Sequence, residues 1–196
     1  LALEAAEKSM VLLKNDEHLL PLDKVSTKKI AILGKLADTE NTGDHGSSNV
    51  NPPYVVTPLN GLQSYLGTSK VVYDEGSDPA NAAQMAASCD VAVIVVGNTH
   101  KEEGEFISQI YWKVGGDRDS LRLKPEDEAL ILAVAAKQPN TIVVMESGSA
   151  LITENWRKEV PAMIMAWYPG MEGGTALSKI LFGEVNPSGK LPCTFA

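Results

Sequence analysis

"DVAVIVVG" (residues 90–97) decides the fold: between Asp90 and Gly97 runs an unbroken apolar stretch, rich in valine, with no polar residue to face water. Such a short continuous run reads as a strand buried on both faces. Four more stretches have the same character: "KIAILG" (29–34), "KVVY" (70–73), "NTIVVME" (140–146) and "AMIMAWY" (162–168). Helical segments separate them, "PLNGLQSYLG" (58–67), "DPANAAQMAASC" (78–89) and "PEDEALILAVAAKQ" (125–138), and "GGTALSKILFG" (173–183) follows the last. Strands alternating with helices predict an α/β fold, a three-layer α/β/α sandwich around a mostly parallel sheet of about five to six strands.

Helix starts carry their own signals. Asp78 precedes Pro79 and Lys124 precedes Pro125, and proline suits the first helical turn, where its missing N–H has no partner to lose. At the other end of the chain, Leu3, Ala6, Met10 and Leu13 of "LALEAAEKSMVLLKND" fall at helical spacing and predict an opening helix. That opening has neither an initiator methionine nor a signal-peptide layout. The expectation is one α/β domain over 1–196, cut from a longer protein.

Three connections exceed routine turns: 35–57, 97–124 and 146–160. Loops beyond about 12–15 residues are usually functional or disordered. Each follows a strand, so all three point to the carboxyl edge of the sheet, where ligands of parallel sheets bind.

Composition narrows the chemistry. The 196 residues are 44% hydrophobic and carry a formal charge of −8 from 25 acidic and 17 basic residues, without like-charge runs. That balance argues against nucleic acid and anionic membranes as partners, and suits a neutral or cationic ligand. No apolar stretch approaches the roughly 20 residues of a membrane-spanning helix. Cys89 and Cys193 lack CxxC spacing and His18, His45 and His100 are scattered, so no metal site or disulfide framework is called for. No GxGxxG follows a strand, and no GxxxxGK[ST] or GxSxG occurs, so nothing asks for a nucleotide or other cofactor. "SGSA" (147–150) is too generic to count, and a triad built from His45 with Ser47 or Ser48 is disfavoured.

Carboxylates remain. "KEEGEF" (101–106) sets Glu102, Glu103 and Glu105 directly after the strand at 90–97. A neighbouring carboxylate or a desolvated pocket raises a carboxyl pKa by disfavouring the charged form, which is what a general acid needs. The plainer reading, a solvated acidic turn, fits the usual exposure of glutamate.

The motifs taken in order, "SMVLLKN", "KIAILG", "GDHGSS", "DVAVIVVG", "EEGEF", "GGDRDSL", "AWYPGMEGG" and "NPSGKLP", resemble the second, α/β-sandwich domain of family 3 glycoside hydrolases, the β-glucosidases and their relatives. The resemblance covers essentially the whole chain. It implies half of an active site: a preceding (β/α)-barrel domain carries the nucleophilic aspartate, and a loop of this domain carries the general acid/base glutamate acting on a β-linked glycoside. The matching loop runs from Asn98 to Leu121, and the insertion "FISQIYWKVG" blurs its alignment. Glu105, nearest the Asp-Arg pair, is favoured as the acid/base, with Glu103 the close alternative and Glu102 third. Asp117 and Arg118 are expected to form an ion pair holding the loop, with direct sugar contact the lesser reading. Tyr111 and Trp112 either stack on a sugar face or pack the loop. Glu172 is expected to cap a helix or line the interface between domains. The competing view is a non-catalytic carbohydrate-binding or scaffold domain.

Overall fold

The computed structural model describes residues 1–43, 45–104, 107–109, 112–114 and 118–195, with 107–109 and 112–114 described by backbone alone. The chain opens with α1 (Ala2–Ser9), β1 (Val11–Asn15), β2 (Ile30–Leu33), α2 (Pro58–Leu66), β3 (Val71–Asp74), α3 (Pro79–Ala87) and β4 (Val91–Gly97). It continues through a one-turn α4 (His100–Glu103), β5 (Ile107–Gln109), β6 (Trp112–Val114), α5 (Pro125–Ala135), β7 (Thr141–Glu146), β8 (Ala162–Met165) and α6 (Gly173–Leu181).

Among the described residues, six strands form one sheet in the order β1-β8-β7-β4-β2-β3, and β5 and β6 form a separate antiparallel hairpin. Every pairing from β8 to β3 is parallel. Alternate residues feed two cores. Ile30, Ile32, Val93, Val95, Ile142, Val144 and Ile164 pack with Leu62 and Leu177 under α2 and α6. Ala31, Leu33, Ile94, Val96, Val143, Met145 and Met165 pack with Ala83, Ile131 and Trp156 under α3 and α5. This double burial explains why the strands read as continuous apolar runs, and it is the expected three-layer α/β sandwich.

The helix starts behave as their sequences predict. Asp78 Oδ1 accepts from Ala80 N at 3.0 Å, and Thr57 Oγ1 accepts from Asn60 N at 3.2 Å, each ahead of a proline. The opening helix is a correction. It stops at Ser9, and Met10 turns to extended backbone at φ −63°, ψ 138°. Val11–Asn15 then pairs antiparallel with β8. Met10 and Leu12 enter one core while Val11 and Leu13 enter the other, a period of two that the helical coincidence of Met10 and Leu13 concealed. Pairing the open edge of β8 is what the segment gains by leaving the helix.

The contact between α2 and α6 rests on two glycines. A Cβ on Gly61 would lie 2.1 Å from Gly174 O, and one on Gly174 would lie 2.0 Å from Thr57 O. Backbone, not a flexible side chain, stands in the way. Gly174→Ala is therefore expected to force the helices apart and destabilise the chain by about 3 kcal/mol, the upper range for overpacking. A urea midpoint unchanged from that of the parent would show that the two helices separate without cost.

Candidate functional site

At the carboxyl edge, β4 and β7 stay paired up to Gly97 and Glu146. Gly97 has φ +138°, and a Cβ there would fall 1.8 Å from Glu146 O, so only glycine lets the chain leave the sheet at this point. Asn98 follows, buried, and Thr99 then starts α4. The Thr99 hydroxyl accepts from Lys101 N at 3.2 Å, and Glu102 Oε2 reaches back to Thr99 N at 2.9 Å, a capping box. Lys124 Nζ pairs with Glu102 Oε1 at 2.8 Å. Glu102, ranked third of the three glutamates, thus serves as a helix cap and a lysine partner.

Glu103 is the next residue and points to the other side. Its Oε1 accepts from Ser147 Oγ at 2.7 Å, Asn98 Nδ2 at 3.1 Å and Ser149 Oγ at 3.2 Å, with Arg118 Nε at 3.1 Å. Its Oε2 accepts from Gly148 N and from Tyr168 Oη, both at 2.6 Å. Glu103 and Arg118 side chains are each 9% exposed. Burial opposes ionisation of Glu103, but the Tyr168 hydroxyl, the Gly148 amide, the Ser147 hydroxyl and the Arg118 guanidinium outweigh it and hold the carboxyl below its ordinary value. Tyr168 moves the other way: burial and then the Glu103 carboxylate push its phenol far up, so it remains a donor.

Arg118 comes from the end of the same long loop. Its Nη2 donates to Ser149 Oγ and, at 3.3 Å, to Ala150 O. Its Nη1 is buried and, among the described residues, meets no acceptor. These groups line an open cleft of about 660 Å³, walled on its far side by Thr42, Gly43 and Ser48. The three long connections therefore converge as expected, and the wall is the "GDHGSS" loop. That loop is fastened to α4 by His45 stacked on His100, with ring centroids 4.1 Å apart, and to the sheet by Asn41, which is buried.

Glu105, Tyr111 and Asp117 lie outside the described residues, and Trp112 is described only as backbone of β6, opposite Gln109. Arg118 pairs with Glu103, whose carboxylate α4 delivers to the guanidinium edge; the expected pair with Asp117 lies outside the described residues. Glu172 stands at the N-cap position before α6 without capping it; its carboxylate accepts from the Tyr54 hydroxyl. The sequence reading missed Ser147, Gly148 and Ser149, set aside as part of a generic "SGSA", and Tyr168 within "AWYPG". A signal was present for Glu102: "THKE" (99–102) has the Thr-x-x-Glu spacing of a capping box.

A second crevice, of about 630 Å³, lies where the crossovers after β2 and β4 leave toward opposite faces, with Leu36, Gly97, Lys124 and Leu130 on its walls. It holds the Glu102–Lys124 pair but none of the Glu103 cluster. Burial pushes the Asp127 carboxyl there up to about 6.

Comparison with known proteins gives this cleft a context. The family model described as "Glycosyl hydrolase family 3 C-terminal domain" matches residues 10–196. The chain is similar to a "Beta-xylosidase" of Formosa agariphila, 36% identical over 99% of this chain and 28% of the relative. It is also similar to "Thermostable beta-glucosidase B" of Acetivibrio thermocellus, 37% identical over 100% of this chain and 26% of the relative. Among solved structures, a β-D-glucoside glucohydrolase from Trichoderma reesei superposes with a TM-score of 0.84, at 31% identity, over 100% of this chain and 30% of that one. The chain thus spans between a quarter and a third of the length of these relatives. Matched over nearly its entire length by that model, the chain belongs to glycosyl hydrolase family 3, as a C-terminal domain.

Proposed function

We propose that this chain is the second domain of a retaining β-glycosidase, and that Glu103 is the acid/base carboxyl it presents to a barrel domain carrying the nucleophile. One observation carries the choice of residue. Of the two described glutamates after β4, Glu102 is spent on a cap and a lysine, whereas Glu103 stands in a cleft with a tyrosine and an arginine. Glu105, favoured by its nearness to the Asp-Arg pair, becomes the alternative two residues on.

An acid/base must exist with and without its proton. Here Ser147, Ser149 and Tyr168 surround Glu103 with hydroxyls, and a hydroxyl either donates to a carboxylate or turns to accept from a carboxylic acid. In this chain alone the ionised form is favoured. A nucleophile carboxylate brought to about 5–5.5 Å, the spacing of a retaining pair, disfavours a second negative charge and raises the Glu103 pKa toward that of an acid. Arg118, which lines the cleft beside Glu103 and Tyr168, is, among the described residues, the cation nearest that carboxyl for a sugar bound there. Glucosides and xylosides are the substrate classes that the relatives' names suggest.

The division of labour has a direct test. This chain alone is expected to show no turnover of aryl β-glucosides or aryl β-xylosides, and a polypeptide joining it to its barrel is expected to hydrolyse at least one of them. Turnover by the chain alone overturns the shared site; a joined polypeptide that binds but never cleaves favours a scaffold or carbohydrate-binding role.

A further inference from the structure

We propose that Glu146, buried at the end of β7, is a positioning residue that fixes Glu103 and the 39–49 loop in one arrangement through Asn41 and Asn98. The connections are short and continuous. Glu146 Oε2 accepts from Asn41 Nδ2 at 2.9 Å, and the same Nδ2 donates to Asn98 O at 2.9 Å. Asn98 N donates to Glu146 O at 2.8 Å, and Asn98 Nδ2 donates to Glu103 Oε1 and, at 3.3 Å, to Ser147 Oγ. Glu146, Asn41 and Asn98 are 1%, 6% and 2% exposed. A carboxyl at the end of an otherwise apolar strand therefore ties the cleft's wall to its central carboxylate. Rotating the Asn41 amide away would leave buried polar groups unmatched on both sides, a cost that keeps the arrangement unique.

The protonation state of Glu146 follows from its surroundings. Burial pushes its carboxyl up to about 8, opposed by the Asn41 amide alone. β4 and β8, which flank its strand, bring apolar residues. Other elements around the network carry Glu103 on α4, reached through Asn98 and Ser147, with Arg118 and Tyr168 against it, Glu40 and His45 on the loop, His100 stacked on His45, and Asp127 of α5, which engages Gly97. Burial and the neighbouring His45 lower His100, and Asp127 titrates near 6, so both change charge below the window in which Glu146 does. Between the ordinary carboxylate range and about pH 8 the fold retains a proton that the unfolded chain has released. The stability this contributes is full below the ordinary range and is lost as pH rises through about 8.

Backbone and side-chain amide NMR of the chain, titrated from pH 6 to 9.5, tests this without any appeal to catalysis. The Asn98 and Gly148 amides and the Asn41 side-chain amide are expected to move together with a midpoint near pH 8. In Glu146→Gln, which keeps the shape and the acceptor, those signals are expected to superimpose on the parent's at pH 7 and lose the alkaline transition. In Glu146→Ala they should be displaced at every pH, and in the barrel-joined polypeptide kcat/KM should fall by up to about 100-fold, the scale for misplacing a catalytic group by about 1 Å, with Glu146→Gln restoring it at pH 7. The proposal is overturned if the transition persists in Glu146→Gln, or if Glu146→Ala leaves Asn98 and Gly148 where the parent has them. Should Glu146→Ala fail to fold, Glu146→Gln decides. The assignment of Glu103 as acid/base stands or falls separately, since the NMR result does not depend on it.

Discussion

If the proposed assignment holds, Glu103→Ala, made in a polypeptide that joins this chain to the barrel domain proposed for it, is expected to lower turnover of glycosides with poor leaving groups by about 10²- to 10⁴-fold, the range for general acid–base catalysis. Activated aryl glycosides should lose far less in the first step, because their leaving groups depart without a proton. Water then attacks the glycosyl-enzyme slowly for want of a base, and added azide, which needs none, should restore turnover as a glycosyl azide. Glu103→Gln keeps an acceptor for Tyr168 and the Gly148 amide but sets its NH2 against Arg118 Nε and Asn98 Nδ2, so its urea midpoint is measured alongside. Because it neither gives nor takes the proton, it should lose as much activity per folded molecule as Glu103→Ala. Glu105→Ala is expected to lose less and to show no azide rescue. If Glu105→Ala alone is rescued, the acid lies two residues on and Glu103 is the anchor that holds its loop to the sheet.

That exchange of roles is open from sequence for a physical reason. Three acidic residues after a buried strand announce a carboxylate at the carboxyl edge, but which one faces the cleft depends on the phase of a single helical turn. Thr99 sets that phase by capping, which draws Glu102 back to the cap and turns Glu103 outward. Besides Asn98 and Arg118, the donors to Glu103 lie 44 to 65 residues further along, at Ser147, Gly148, Ser149 and Tyr168. Only the side-by-side placement of β4, β7 and β8 brings them together. The interior strands were legible because burial on both faces fills them with apolar residues between their ends. β1 was not, since an edge strand that follows a helix without a break keeps enough apolar spacing to imitate its continuation. Glu146 escaped notice because one acidic residue at a strand end normally reads as the point where the chain meets water, whereas here the 39–49 loop covers it.

Arg118→Met should uncouple the cleft's charge from its support. The Glu103 carboxylate would remain buried among hydroxyls and amides without its cation, and removing one partner of a buried pair costs about 3–5 kcal/mol. The pH dependence fixes the sign. In the parent, the depressed Glu103 pKa contributes stability above the ordinary glutamate value of about 4.3, and that stability is lost as pH falls through the lower folded value. Without Arg118 the folded pKa rises, so the contribution disappears at a higher pH, and protonation relieves part of the damage. Urea unfolding of parent and variant from pH 3 to 7 should therefore show the largest gap at neutral pH and a narrowing gap on the acid side. Adding Glu103→Gln to Arg118→Met should recover much of the loss at pH 7, because the uncompensated charge is gone. A cost below about 1 kcal/mol, unchanged across that pH range, would mean that the hydroxyls and the Gly148 amide suffice to hold the carboxylate without Arg118.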